Sequence, residues 1–400
     1  MLCIIAMLGC NLGVTTAEEP DEPVSKSPVL LAHYMPWFIA NPEQKEWGWH
    51  WTMQKFDPNL QKDGKRQLAS AYYPTIGTYD SGDSEVLEYH LLSMKLAGID
   101  GVIVDWYGLT DFRDYAILHT NTTRLLQQCE RLDMKFVICY EDQTVPALVQ
   151  GGRLPESKRV EHVADEIQWL SKYWFQSAAY LKYQNKPVLL SFGHSGLTDP
   201  EWTQCLSQLK TPVAYFSQDR QREGAAGGFG WPAPPDGLEQ VEWFHRESKR
   251  WSSAIPVVFP RFDDYYLEAG ISQGYAVLPD RDGQTLKWTL KQALESKAAI
   301  IQIATWNDWG EGTQIEPSRE FGFRDLQILQ ASQRETGHWK DKPAPTTDDL
   351  GLPLKIYQQR KDTGLTSSRR GQLDAAVKAL SNGDYVEARK LIQPSTSKNQ

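Results

Sequence analysis

The sequence is poor in the residues that mark several functional classes. No run of Lys and Arg exceeds two residues, as at Arg369-Arg370, and the formal charge is −9 with a pI near 5.5. Nucleic-acid backbones are gripped by grouped cations, so nucleic acid is excluded as the main partner and a neutral or weakly charged ligand fits better. Cysteine is scarce too. Cys3 and Cys10 lie at the extreme N-terminus, and Cys129, Cys139 and Cys205 form an odd set without CxxC spacing. These three read as buried free thiols rather than as a disulfide framework or a metal site. No zinc-like His/Glu or Cys/His spacing, no Gly-x-Ser-x-Gly, no EF-hand-like Asp run and no glycine-rich phosphate loop after the first strand can be found, so neither metal nor cofactor is expected. Beyond the first ten residues, no apolar run is long enough to span a bilayer.

What is present is an ordinary globular composition, 40% hydrophobic and 23% charged over 400 residues, enough for one large domain with a small appendage. Tryptophan is the exception, with 15 copies, five of them early: Trp37, Trp47, Trp49, Trp51 and Trp106. Aromatic faces stack on the apolar faces of sugar rings, although core packing is the ordinary reading of any single tryptophan.

The N-terminus is apolar from Met1 to Gly9 and runs into Met7-Leu8-Gly9-Cys10. That stretch resembles a bacterial lipoprotein signal with Cys10 as the lipidated residue; a plain secretory segment is the alternative. The expected location is therefore the bacterial cell envelope or the exterior, with membrane contact only through the lipid anchor. Asn11 to Pro28, rich in Pro, Ser, Thr and Glu, reads as a flexible tether.

Short β-branched runs recur, each followed by a helical stretch: Val29 to Tyr34, Gly101 to Trp106, Lys135 to Glu141, Pro187 to Phe192, Pro212 to Ser217, Pro256 to Pro260 and Ala299 to Thr305. Tyr275 to Leu278 is a weaker eighth. Amphipathic candidates lie between them, including Ser84 to Ala97, Tyr115 to Leu132, Lys158 to Tyr183, Leu238 to Trp251 and Thr285 to Ser296. Alternating βα units of this number predict an α/β fold, a (β/α)8 TIM-type barrel. Near the end, Leu373 to Ile392 reads as two short helices around Ser381-Asn382-Gly383-Asp384, a helical hairpin that cannot bury its own apolar face and must dock on the barrel or on a partner. The expected organisation is a signal segment at 1–10, a tether at 11–28, the barrel at 29–340, a linker with a short helix at 341–365, and the hairpin and tail at 366–400.

Polar and aromatic residues gather where strands run out: His33 to Trp37, Asp105-Trp106-Tyr107, Tyr140-Glu141-Asp142, Ser217-Gln218-Asp219, Arg261 to Asp264, and Asn307-Asp308 with Glu311. In a barrel those ends share one face, which carries the active site. Asp142, Asp199, Asp263 and Asp264 read better as helix caps or loop residues. Hydrolysis of a glycosidic bond needs an acid and a second carboxylate, ~5–5.5 Å apart for retention and ~6.5–9.5 Å apart for inversion. Asp308 and Glu311 suit the pair, in a loop kept irregular by Gly310 and Gly312; Glu316 reads as a supporting carboxylate.

The segment Trp306-Asn307-Asp308-Trp309-Gly310-Glu311-Gly312-Thr313-Gln314-Ile315-Glu316-Pro317 resembles the signature of glycoside hydrolase family 99, the endo-α-mannosidases and endo-α-mannanases. His33-Tyr34-Met35-Pro36-Trp37, Tyr73-Pro74, Gly77 to Ser84 and Ala97 to Gly108 follow the same family, so the resemblance spans roughly residues 28 to 336. It implies a retaining hydrolase with Glu311 as acid/base and Asp308 in the place of a glutamate that acts on the sugar 2-hydroxyl. Trp-Asn-Asp-Trp-Gly-Glu also resembles glycoside hydrolase family 71, the inverting α-1,3-glucanases; a non-catalytic glycan-binding barrel is a third reading. Glu141 matches a family position that contacts sugar, while Tyr34, Trp37, Trp106 and Tyr107 are candidate subsite walls. Asn307 is expected to hold a sugar hydroxyl or orient Asp308. Gly227 to Pro232 reads as a mobile loop whose Trp231 covers substrate or clips onto the barrel, and His50 reads as a substrate contact or part of a surface aromatic cluster. The partner implied is an oligosaccharide or polysaccharide.

Overall fold

The computed structural model describes residues 27–393, so Cys10 and the tether up to residue 26 lie outside the described residues. Eight parallel strands close into a barrel in sequence order. They are β1 (Val29–Tyr34), β2 (Gly101–Trp106), β3 (Lys135–Glu141), β4 (Lys186–Phe192), β5 (Ala214–Gln218), β6 (Gly227–Phe229), β7 and β8 (Ile300–Ile303). β7 is split by Pro256, which has no N–H to give: Ala254–Ile255 pairs with β6, and Val257–Val258 pairs with β8. The ring closes where Val29 faces Ile300 and Ala32 faces Ile303.

Strand side chains alternate, and the two faces fill different cores. Leu31, Ile103, Val137, Cys139, Leu190, Phe216, Phe229, Val257 and Ala304 point into the barrel. Ala32, Tyr34, Val104, Trp106, Ile138, Tyr140, Leu189 and Ile303 point out under the helices. Cys129, Cys139 and Cys205 are free and buried, as their spacing suggested.

The outer layer comes from helices Ser84–Ala97, Tyr115–Arg131, Arg159–Tyr173, Asp199–Gln208, Gly237–Glu247, Gln284–Glu295 and Arg324–Glu335. No helix lies between β5 and β6 among the described residues. This crossover of residues 219–226 hid a strand. Tyr275 to Leu278 is not a barrel strand: Leu278 makes a single antiparallel bridge with Phe262, which ties off a loop after β7. The missing strand is β6, inside the segment read as a mobile loop. Its glycines are there because neighbouring backbone comes close: a Cβ at Gly227 would sit 2.1 Å from the Ser253 carbonyl oxygen, and one at Gly228 would sit 2.6 Å from that of Arg220.

Leu352–Arg360, Ser367–Ser381 and Tyr385–Ile392 are helical and pack against Ser84–Ala97 and one another. The hairpin thus buries its apolar face, including Leu373, Ala376, Leu380 and Ala388, in the outer core. Arg360 anchors it. Its Nε donates to Glu88 Oε1 at 2.6 Å and its Nη2 to Asp374 Oδ1 at 2.7 Å, while Arg131 reaches Glu88 from the other side at 2.7 Å.

Candidate active site

The loop after β8 is cinched at its base. Thr305 N donates to the Thr313 carbonyl at 3.1 Å, Ile315 N to that of Thr305 at 3.0 Å, and the two threonine hydroxyls meet at 3.0 Å. Inside this ring Asp308 N donates to Thr305 Oγ1 at 2.8 Å, and Glu311 N donates to Asp308 Oδ1 at 3.0 Å. One oxygen of Asp308 is therefore fixed by the backbone that carries Glu311. The loop is clamped sideways by the segment after β7, where Asp263 N meets the Glu311 carbonyl and Tyr265 N the Gly310 carbonyl, each at 2.9 Å. A Cβ at Gly312, whose φ is +67°, would lie 2.5 Å from the Asp263 carbonyl oxygen, so the clamp requires glycine there. It also delivers Tyr266, whose hydroxyl donates to Glu311 Oε1 at 3.2 Å.

Four carboxyls converge at the barrel mouth: Asp105 from the end of β2, Glu141 from the end of β3, and Asp308 and Glu311. Burial pushes Asp308 up to about 6, opposed by the backbone N–H groups of Glu311 and Gly310. Glu311 is driven well above the usual carboxylate range by burial and then by the charge of Asp308, against the hydrogen bond from Tyr266. Asp105 rises to about 8 through burial and the nearby Asp308. Glu141 also rises, through burial and the charges of Asp105 and Asp142. Desolvation and like charge act together, a pattern typical of functional carboxylates. No group of His, Cys, Asp or Glu among the described residues is arranged to hold a metal ion.

Below the carboxyls, His33 Nε2 bonds Gln302 Oε1 at 2.7 Å, and Gln302 Nε2 donates to the Gly230 carbonyl. Burial lowers His33 to about 4, so it is neutral. Trp231 is packed edge-on against His33 and Phe192, with centroids 4.8 Å away in each case. It is held in the barrel mouth by β6, which corrects the mobile-loop reading in favour of the clip. At the rim Trp37 stacks on His50 (4.1 Å, 7°) and meets Tyr107 edge-on at 6.4 Å. Beside them opens a cavity of about 640 Å³ lined by Trp49, His50, Tyr107, Arg113, Asp114 and Tyr115.

Several expected substrate contacts lie elsewhere. Tyr34 and Trp106 occupy outward positions and are fully buried. The Tyr34 hydroxyl bonds His90 Nδ1 at 2.9 Å, and Trp106 packs among His119, Trp169 and Trp174. Neither can form a subsite wall; alternation sends their neighbours His33 and Asp105 inward instead. Asn307 cannot hold a sugar hydroxyl. Its Oδ1 accepts from Met35 N at 2.8 Å, and its Nδ2 donates to the Met35 carbonyl and to the Tyr79 hydroxyl, so it staples the end of β1 to the catalytic loop. Glu316 is structural, 3.1 Å from His90 Nε2 and accepting from Tyr79 and Trp309. Asp264 braces the loop after β7 through Tyr266 N and Tyr275 N, Asp263 accepts from Tyr72, Asp142 from the Trp202 indole, and Asp199 pairs with Arg220 and Arg222. Sequence reasoning missed Tyr266 because nothing in Asp264-Tyr265-Tyr266 marks a residue that folds back onto the next loop.

The family model "Glycosyl hydrolase family 99" matches residues 27–210. The glycoprotein endo-alpha-1,2-mannosidase of Mus musculus is 22% identical over 359 residues, 78% of this chain and 73% of that protein. The Homo sapiens glycoprotein endo-alpha-1,2-mannosidase-like protein is 23% identical, over 72% of this chain and 68% of that one. Among solved structures, the GH99 endo-alpha-mannosidase from Bacteroides thetaiotaomicron superposes with a TM-score of 0.59 at 18% identity, covering 81% of this chain and 98% of that one. That likeness bears on the fold. With the family match and the relatives, the closed barrel and its carboxyl-lined mouth make this chain a family 99-like glycoside hydrolase.

Proposed function

We propose that this protein is an endo-acting α-mannosidase or α-mannanase that cleaves with retention, Glu311 serving as acid/base and Asp308 as the base on the 2-hydroxyl. The observation that carries this reading is the different environment of the two carboxyls within one loop. Asp308 is fixed by backbone donors and stays near 6, while Glu311 is pushed well up beside it. At neutral pH the first is ionised and the second protonated, which is how environment assigns base and acid roles. The mannosidase relatives supply the sugar and linkage class.

In the first step Asp308 takes the 2-hydroxyl proton, O2 attacks C1, and the C1–O bond to the leaving sugar breaks as Glu311 protonates its oxygen. In the second step Glu311 removes a proton from water, which attacks C1 and opens the 1,2-anhydro ring while Asp308 returns its proton to O2. Two inversions leave the configuration at C1 retained. Asp308 is one methylene shorter than the family's glutamate, and the loop that bonds its carboxyl to Glu311 N sets its reach. Glu141, Trp37 and Tyr107 would bind the sugar around this pair, with Trp231 as the inner wall. Cys10 as a lipid anchor at the cell envelope is proposed on the Met7-Leu8-Gly9-Cys10 pattern alone.

Incubation with α-mannan, α-1,3-glucan and aryl α-glycosides tests the reading. Turnover of α-mannan, lowered ~100-fold or more by Glu311→Gln, is expected. Preference for α-1,3-glucan would favour the glucanase-like alternative, and binding without turnover would leave only the glycan-binding one.

A further inference from the structure

Asp105 takes no part in the two steps, yet it is the least satisfied carboxyl of the cleft. It is 6% exposed, and its Oδ1 is buried without a hydrogen-bond partner among the described residues. A buried polar atom without a partner calls for an explanation, and this one belongs to a side chain turned toward the cleft. Alternation on β2, with Ile103 inward and Val104 and Trp106 outward, turns Asp105 into the barrel mouth. Its lateral partner on β3 is Cys139, which offers no cation. The groups that feel its charge are Cys139 and Glu141 on β3, Tyr107 beyond β2, and Glu311 after β8; Asp308 acts on it in turn. Burial and the charge of Asp308 both disfavour its ionised form. Four carboxyls crowded in this way cannot all ionise.

We propose, resting on the glycan reading, that Asp105 is a sugar-binding residue that keeps its proton and donates it to a ring hydroxyl of the sugar held beside Asp308 and Glu141. A neutral acid gives the cleft a donor that an ionised aspartate would not, and adds no charge next to Asp308. Its placement at about 8 agrees with this state at neutral pH. Asp105 thereby selects for a sugar with a hydroxyl at that place, because a deoxy ring would leave the donor buried and unpaired.

Two measurements test this. Without any sugar, the infrared difference between wild type and Asp105→Asn at pH 7 should contain a protonated-carboxyl C=O band; a carboxylate band instead would overturn the protonation. On a Glu311→Gln background, α-linked mannotriose is titrated calorimetrically. Asp105→Asn, which keeps a donor, should bind within about threefold of the parent, and Asp105→Ala ~10-fold or more weaker. Above pH 8 the parent should lose affinity while Asp105→Asn keeps it. An alanine variant that melts like the parent and binds equally well would overturn the proposal alone. Failure of the parent to bind mannotriose would remove the glycan reading and this proposal with it.

Discussion

At the scale of single residues, the chemistry turns on two hydrogen bonds around one desolvated loop. Asp308 accepts from Glu311 N, Glu311 accepts from Tyr266, and both carboxyls sit in a mouth that desolvates them. The working form needs Asp308 ionised and Glu311 protonated. kcat/KM should therefore rise as Asp308 loses its proton near pH 6 and fall on the alkaline side as Glu311 loses its own, the two limbs belonging to the coupled pair. The Tyr266 hydrogen bond stabilises the Glu311 carboxylate and so opposes its upward shift. Tyr266→Phe removes that opposition, and the alkaline limb of the pH profile should move to higher pH; a limb that stays or falls would contradict the assignment. Asp308 and Glu311 were readable as candidates in Trp306 to Pro317, where three carboxylates, two tryptophans and two glycines fall together in a stretch that resembles the family 99 signature. Tyr34 and Trp106 were misplaced for a physical reason. Clustering at a strand end does not tell which face a side chain takes, and Tyr34 and Trp106 differ from His33 and Asp105 by one step of the pleat.

At the scale of elements, β1 to β5, β7 and β8 announced themselves through β-branched runs, whereas β6 did not. Gly227-Gly228-Phe229 has neither the propensity nor the preceding helix that a strand of this fold normally shows, and its two glycines answer to the backbone of Ser253 and Arg220. Tyr275 to Leu278 looked more strand-like and instead ties off the loop that carries Tyr266. Gly227→Ala should destabilise the protein by ~1–3 kcal/mol through forced separation of β6 from β7, read as a lower denaturation midpoint in urea. A variant as stable as the parent would mean that the close approach at Ser253 is not a constraint.

At the scale of the whole molecule, the C-terminal hairpin is part of the outer wall rather than a free appendage. Glu88 on the first outer helix is gripped by Arg360 and Arg131, and Arg389 reaches Asp349 at 2.7 Å. Arg360 is only 7% exposed, so its loss leaves Glu88 buried with the half-exposed Arg131 as its remaining partner. Arg360→Ala is expected to cost ~3 kcal/mol in urea unfolding, the low end for breaking a buried pair, with kcat nearly unchanged because the hairpin lies behind the barrel. The helices of the hairpin were readable from their spacing and the Asn382-Gly383 turn, but their docking face was not, since apolar periodicity does not name its partner. The central claim, retention by the Asp308–Glu311 pair on an α-mannosidic bond, is tested most directly by NMR of the anomer released first from α-mannan. The account predicts the α-anomer ahead of mutarotation, absent from the Glu311→Gln variant; the β-anomer appearing first would contradict it.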